Sequence, residues 1–107
     1  MDKPFALLIE DDRDVAALFR HVLDMAGYRS ESVYDGLEAM KRLSNSQPDV
    51  VLLDLQLPGL SGVDILQKMR ADERMKTIPV IVISLCLCCK ESANRAGPVL
   101  TQACRYP

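Results

Sequence analysis

Three short apolar runs, none of them alternating with polar residues, constrain this chain more than any other feature. Phe5-Ala6-Leu7-Leu8-Ile9 stops at Glu10-Asp11-Asp12, Val50-Val51-Leu52-Leu53 stops at Asp54, and Val80-Ile81-Val82-Ile83 stops at Ser84. A strand with one face in water alternates apolar and polar residues. A strand buried on both faces does not, and helices over both faces of a parallel sheet produce that burial. Pro48 and Pro79 stand at the mouths of the second and third runs, where a missing N–H costs little.

The intervening segments read as helices. Val15, Leu18, Phe19, Val22 and Leu23 recur at helical spacing, with Asp12 or Asp14 to cap the start and Gly27 just past the end. Leu37, Met40 and Leu43 mark a second helix after Asp35-Gly36, and Ile65, Leu66 and Met69 a third after Gly62. Arg29 to Tyr34 reads as a strand polar enough for a sheet edge. Strands and helices therefore alternate, the pattern of right-handed βαβ units in an α/β doubly wound parallel sheet. At 107 residues the chain is long enough for one such domain and one modest core. With 49% hydrophobic and 26% charged residues it has the composition of a globular protein, not a disordered one.

In a doubly wound sheet, ligands bind beyond the carboxyl ends of the strands. Glu10, Asp11 and Asp12 follow one strand there, Asp54 a second and Ser84 a third. Carboxylates crowded at one sheet end repel each other unless a cation compensates. Mg²⁺ suits the role, because it takes oxygen ligands and binds through one or two carboxylates, waters and phosphate oxygens. Beside such a cation an ionised aspartate can attack phosphorus and form an acyl phosphate. A hydroxyl such as that of Ser84 can donate to the phosphoryl oxygens. Each piece has a plainer explanation alone: the acidic triplet could simply favour a helix dipole, and Ser84 could be a loop hydroxyl. Their conjunction is harder to explain as structure.

These residues resemble the receiver domains of response regulators over positions 4 to 85. The resemblance rests on Leu7-Leu8-Ile9-Glu10-Asp11-Asp12, on Tyr34-Asp35-Gly36-Leu37-Glu38-Ala39, on Asp49 to Gly62 with Pro58-Gly59 in its loop, and on Ile78-Pro79-Val80-Ile81-Val82-Ile83-Ser84. It implies a flavodoxin-like sheet of strand order 2-1-3-4-5. It also implies residue roles: Asp54 the phosphoacceptor, Asp11 a direct Mg²⁺ ligand, Glu10 an acidic partner acting through water, the Gln56 backbone carbonyl a further metal oxygen, and Ser84 the switch hydroxyl. The implied phosphodonor is a phosphohistidine on a sensor histidine kinase or phosphotransfer protein.

The resemblance stops after Leu85. The family continues with a fourth helix, a fifth strand ending in Lys-Pro, and a fifth helix. Here residues 86–107 hold all four cysteines and no Lys-Pro pair, and Lys90 comes too early for the family's lysine. The expected organisation is a receiver core over 1–85 and an atypical tail over 86–107, with the last βα units incomplete. A shifted reading frame or another abnormal end would account for the abrupt change. Cys86, Cys88, Cys89 and Cys104 could in principle hold zinc, but their spacing is not that of paired CxxC knuckles, and free thiols are the plainer reading. An uncovered edge on the fourth strand would invite homodimerisation, strand exchange or aggregation.

The expected function is a regulatory phosphoacceptor, not an enzyme. Two alternatives compete with it: a receiver-like interaction module that no longer switches, and an aspartyl-phosphate phosphatase. The second lacks a general acid, since Gln56 occupies the second position of Asp-x-Asp. There is no Gly-rich phosphate loop after the first strand. His21, the sole histidine, falls inside the first helix as a solvated residue. The net charge of -2 predicts no general attraction to nucleic acid or anionic membrane. Without a signal-like or membrane-spanning stretch, a cytoplasmic location is expected.

Overall fold

The computed structural model describes residues 3–83. Four strands and three helices alternate: β1 (Phe5–Ile9), α1 (Arg13–Met25), β2 (Arg29–Val33), α2 (Gly36–Asn45), β3 (Val50–Leu53), α3 (Gly62–Ala71) and β4 (Val80–Val82). The strands form one sheet in the order β2-β1-β3-β4, with every pair parallel. This is the flavodoxin-like arrangement, and the polar strand β2 lies at its edge as its composition predicts. The fifth strand of the expected order and residues 84–107 lie outside the described residues.

Alternate residues of the central strands feed two cores. Leu7, Ile9, Val51 and Leu53 point into a core closed by Ala39 and Leu43 of α2 and by Ile65 and Met69 of α3. Ala6, Leu8, Val50 and Leu52 point to the opposite side, where Ala16 and Leu23 of α1 meet them. All five residues of β1 and all four of β3 are buried, which is why neither run needs a polar face.

Helix starts follow local chemistry. Asp12 is the N-cap of α1, its Oδ1 accepting from the N–H groups of Asp14 (2.9 Å) and Val15 (3.1 Å). Asp35 caps α2 through the Glu38 N–H, and Ser61 caps α3 through that of Asp64. Gly27 ends α1 with φ +90°, a conformation suited to glycine. An ion pair between Arg42 and Glu31 ties α2 to β2.

Two details differ from the sequence reading. The fourth strand is one residue shorter than its apolar run, although the Ile83 N–H still donates to the Leu53 carbonyl at 2.9 Å. On α1, Leu18 and Val22 are 55% and 52% exposed, while Ala16 and Leu23 are buried. The apolar arc of α1 is wider than the strip of β1 and β2 beneath it, so among the described residues one flank does not meet the sheet.

Candidate functional site

Strands β1 and β3 run side by side in parallel, with Ile9 opposite Leu53. The next residue of each strand is therefore delivered to the same end of the sheet. Glu10 follows Ile9 and Asp54 follows Leu53, and both are buried. Backbone bonds fix the two positions: the Glu10 N–H donates to Val33 O at 3.0 Å, and the Asp54 N–H to Ile9 O at 2.9 Å. Asp11 is the next residue and is exposed. One carboxylate oxygen from each of Glu10, Asp11 and Asp54 lies within 4.8 Å of the other two.

The loop after β3 shapes the floor of the site. The Gln56 N–H donates to Asp54 Oδ1 at 3.0 Å and so orients that carboxylate, while the Gln56 residue itself is exposed. The Asp12 N–H approaches Glu10 Oε1 at 3.4 Å. Gly62 opens α3 directly beneath: its N–H donates to Leu55 O at 3.2 Å, and a Cβ there would overlap the Asp54 carbonyl oxygen. Gly36 does the same at the start of α2, where its N–H donates to Pro58 O at 3.2 Å and a Cβ would overlap the Leu60 carbonyl. Motif reading places both glycines at helix starts. It does not reveal the backbone each one admits, because that backbone comes from a distant part of the chain.

The donor set fits a hard divalent cation. It consists of carboxylate oxygens alone, two buried and one facing solvent, so a bound ion could keep several waters. Oxygen ligands of an octahedral Mg²⁺ sit about 3–4 Å apart, and a small side-chain adjustment would bring these oxygens to that spacing. Such a site can hold a phosphoryl group against a carboxylate nucleophile. Of the residues predicted from sequence, Glu10, Asp11 and Asp54 come together, with Gln56 adjoining through its backbone. Ser84 lies outside the described residues, immediately after Ile83. His21 is exposed, as expected. Among the described residues, no helix is long and apolar enough to cross a membrane.

Known proteins share these features. The family model for the response regulator receiver domain matches residues 6–95, beyond Leu85 where the motifs stop. The DNA-binding dual master transcriptional regulator RpaA of a Synechocystis species is 37% identical over 81 residues, covering 76% of this chain and 34% of RpaA. The polar-differentiation response regulator DivK of Brucella ovis is 33% identical over 78 residues, covering 73% of this chain and 63% of DivK. The chain thus spans about a third of the one relative and somewhat under two thirds of the other. Among solved structures, a CheY-like receiver domain from Methylobacillus flagellatus aligns with TM-score 0.72 at 30% identity, over 79% of this chain and 72% of that one. The receiver domain of the sensor histidine kinase PA1611 from Pseudomonas aeruginosa, solved with a magnesium ion coordinated in its active-site cleft, aligns with TM-score 0.75 at 27% identity, over 91% and 81%. With the family model covering most of its length and the 2-1-3-4 sheet carrying an acidic cluster at its carboxyl end, this chain belongs to the response regulator receiver domain family of two-component signalling.

Proposed function

We propose that Asp54 accepts a phosphoryl group from a phosphohistidine on a separate histidine kinase or phosphotransfer protein. The observation that carries this reading is the convergence of Glu10, Asp11 and Asp54 oxygens within 4.8 Å at the carboxyl end of β1 and β3. Glu10, Asp11, Asp54 and the backbone carbonyl of Gln56 would hold Mg²⁺. When bound, that ion supplies positive charge against the transferring phosphoryl oxygens.

The chain's own residues do the rest. Asp54 is oriented by the Gln56 N–H, so its carboxylate meets the donor with little loss of rotamer freedom. A carboxylate oxygen forms a bond to phosphorus as the phosphorus–nitrogen bond to imidazole breaks. The imidazole nitrogen keeps the electron pair and takes up a proton. The Ser84 hydroxyl then donates to a phosphoryl oxygen, which couples the new group to the end of β4. In this reading residues 1–85 are the receiver core and 86–107 an atypical tail. The domain acts as a cytoplasmic regulatory switch and catalyses no turnover of a separate substrate.

The test is intact mass after incubation with Mg²⁺ and a small-molecule phosphodonor. A single phosphoryl adduct is expected, absent in Asp54→Asn and absent with chelator. An unmodified mass from folded wild-type protein would overturn the phosphoacceptor reading.

A further inference from the structure

Strand β2 is an edge of the sheet and pairs with β1. The Arg29 N–H donates to Pro4 O at 2.8 Å, and Val33 O accepts from the Glu10 N–H at 3.0 Å. Alternate residues Arg29, Glu31 and Val33 therefore turn their backbone groups to β1, and those of Ser30 and Ser32 point off the sheet. No proline or bulge guards this edge, because the register with β1 runs unbroken from Arg29 to Val33. The Ser32 hydroxyl is buried and has no hydrogen-bond partner among the described residues. Beside the start of the strand, between β2 and α1, lies a cavity of about 570 Å³. Lys3, Arg20, His21 and Arg29 line it against one carboxylate, that of Asp24. Among the described residues neither Lys3 nor Arg20 nor Arg29 makes an ion pair, although the chain carries a net charge of -2. The Arg29 guanidinium carbon lies 4.4 Å from the Phe5 ring centroid, a stacking that occupies the guanidinium face and leaves its N–H edge available.

We propose that the β2 edge receives an acidic, extended peptide segment of a partner protein, added to the sheet as a further strand. The outward backbone groups of Ser30 and Ser32 supply the ladder. Carboxylates of the peptide meet Lys3, Arg20 and Arg29 at the start of the strand. Charge complementarity selects this occupant. An open edge alone accepts any extended chain and a basic cavity alone any anion, whereas the two side by side favour a strand that carries carboxylates. The surface is separate from the acidic site. Glu10 and Asp54 lie beyond the carboxyl ends of β1 and β3, roughly 17 Å from the start of β2 by the length of a five-residue strand. An acidic peptide is repelled there and attracted here.

The probe is a fluorescein-labelled octapeptide in which Glu alternates with Val and Thr. It is titrated with the full chain at low ionic strength and followed by anisotropy. Two control peptides carry Lys in place of Glu, or N-methyl groups on two adjacent central nitrogens, which blocks both edges of the strand. The Glu peptide should bind saturably, and the Lys peptide should not. Affinity should fall at least about tenfold for the N-methylated peptide, and by as much for the double variant Lys3→Glu, Arg20→Glu. Ser30→Pro removes an outward N–H without touching a bond to β1 and should cause a similar loss. Should Ser30→Pro lose its far-UV circular dichroism, the N-methylated peptide makes the same test on unaltered protein. Binding should persist in Asp54→Asn with chelator present. No saturable binding of the Glu peptide would overturn the proposal, as would equal binding of the Lys peptide. Full affinity of the N-methylated peptide would reduce the surface to a plain anion site and reject strand addition. Loss of binding in Asp54→Asn would place the peptide at the acidic site and reject the β2 edge. A doubled mass at high protein concentration that Ser30→Pro abolishes would assign the edge to a second copy instead.

Discussion

The backbone of Gly62 lies directly against the backbone carbonyl of Asp54, leaving no space for a side chain between them. Helix α3 is thereby seated on the residue that follows β3. Gly62→Ala would drive a methyl group into backbone atoms of Asp54 and Leu55, which cannot swing aside as a side-chain tip can. We expect a loss of about 2 kcal/mol or more, from overpacking with backbone displacement. Urea denaturation measures it, and a midpoint equal to wild type would show that α3 can shift without cost.

Three carboxylates within 4.8 Å oppose one another until a cation joins them. Mg²⁺ at about ten times its dissociation constant should stabilise the chain by about 1.4 kcal/mol. For a domain of this size that is a rise of roughly 5–10 °C in thermal midpoint. Asp54→Asn keeps an oxygen for the Gln56 N–H but removes one negative charge from a buried position. Its midpoint in metal-free buffer should exceed that of the wild type, and its response to Mg²⁺ should be largely lost. Differential scanning calorimetry with and without Mg²⁺ reads both effects. An unchanged response to Mg²⁺ in Asp54→Asn would place the ion elsewhere.

How far the site could be read in advance follows from where its constraints lie. The spans Phe5–Ile9 and Val50–Leu53 are legible to the residue, because burial on both faces leaves an unbroken apolar run whose end is also the strand's end. Glu10 and Asp54 are legible for the same reason, as the residues that stop those runs. Periodicity on α1 identifies an apolar arc but not which part of it meets the sheet, so the exposure of Leu18 and Val22 emerges only from the packing. The roles of Gly36 and Gly62 depend on carbonyls brought close by the fold, and no local pattern encodes those neighbours. Ser84 is legible as the residue that stops an apolar run, and it lies outside the described residues.

Asp12 adjoins the acidic site in sequence yet serves the helix. Its Oδ1 accepts from two N–H groups that α1 would otherwise leave unbonded. Asp12→Ala should cost about 1 kcal/mol of stability, with Asp12→Asn recovering most of it. Because Asp12 is absent from the converging oxygens, the stabilisation by Mg²⁺ should persist in both variants. Calorimetry separates the two effects: a lower midpoint with a retained Mg²⁺ increment is expected. Loss of the increment in Asp12→Asn would bring this residue into the metal site.

At the opposite end of the sheet, Phe5 and Asp49 close a reciprocal pair. The Phe5 N–H donates to Asp49 Oδ2 at 2.7 Å, and the Asp49 N–H donates to Phe5 O at 2.7 Å. The first bond is charge-assisted and satisfies the opening amide of a strand whose residues are all buried. Asp49→Ala leaves that amide without its acceptor and should cost about 1–3 kcal/mol. Asp49→Asn retains a neutral oxygen and should recover part of the loss. The change should lower the urea midpoint while leaving the slope unaltered, since the surface exposed on unfolding is the same. Hydrogen exchange at the Phe5 amide should accelerate in the alanine variant beyond the change at Leu8, because fraying starts where the clasp is removed. Equal acceleration at both amides would mean that β1 opens only with the whole sheet, and that the clasp adds to global stability without guarding the strand's end.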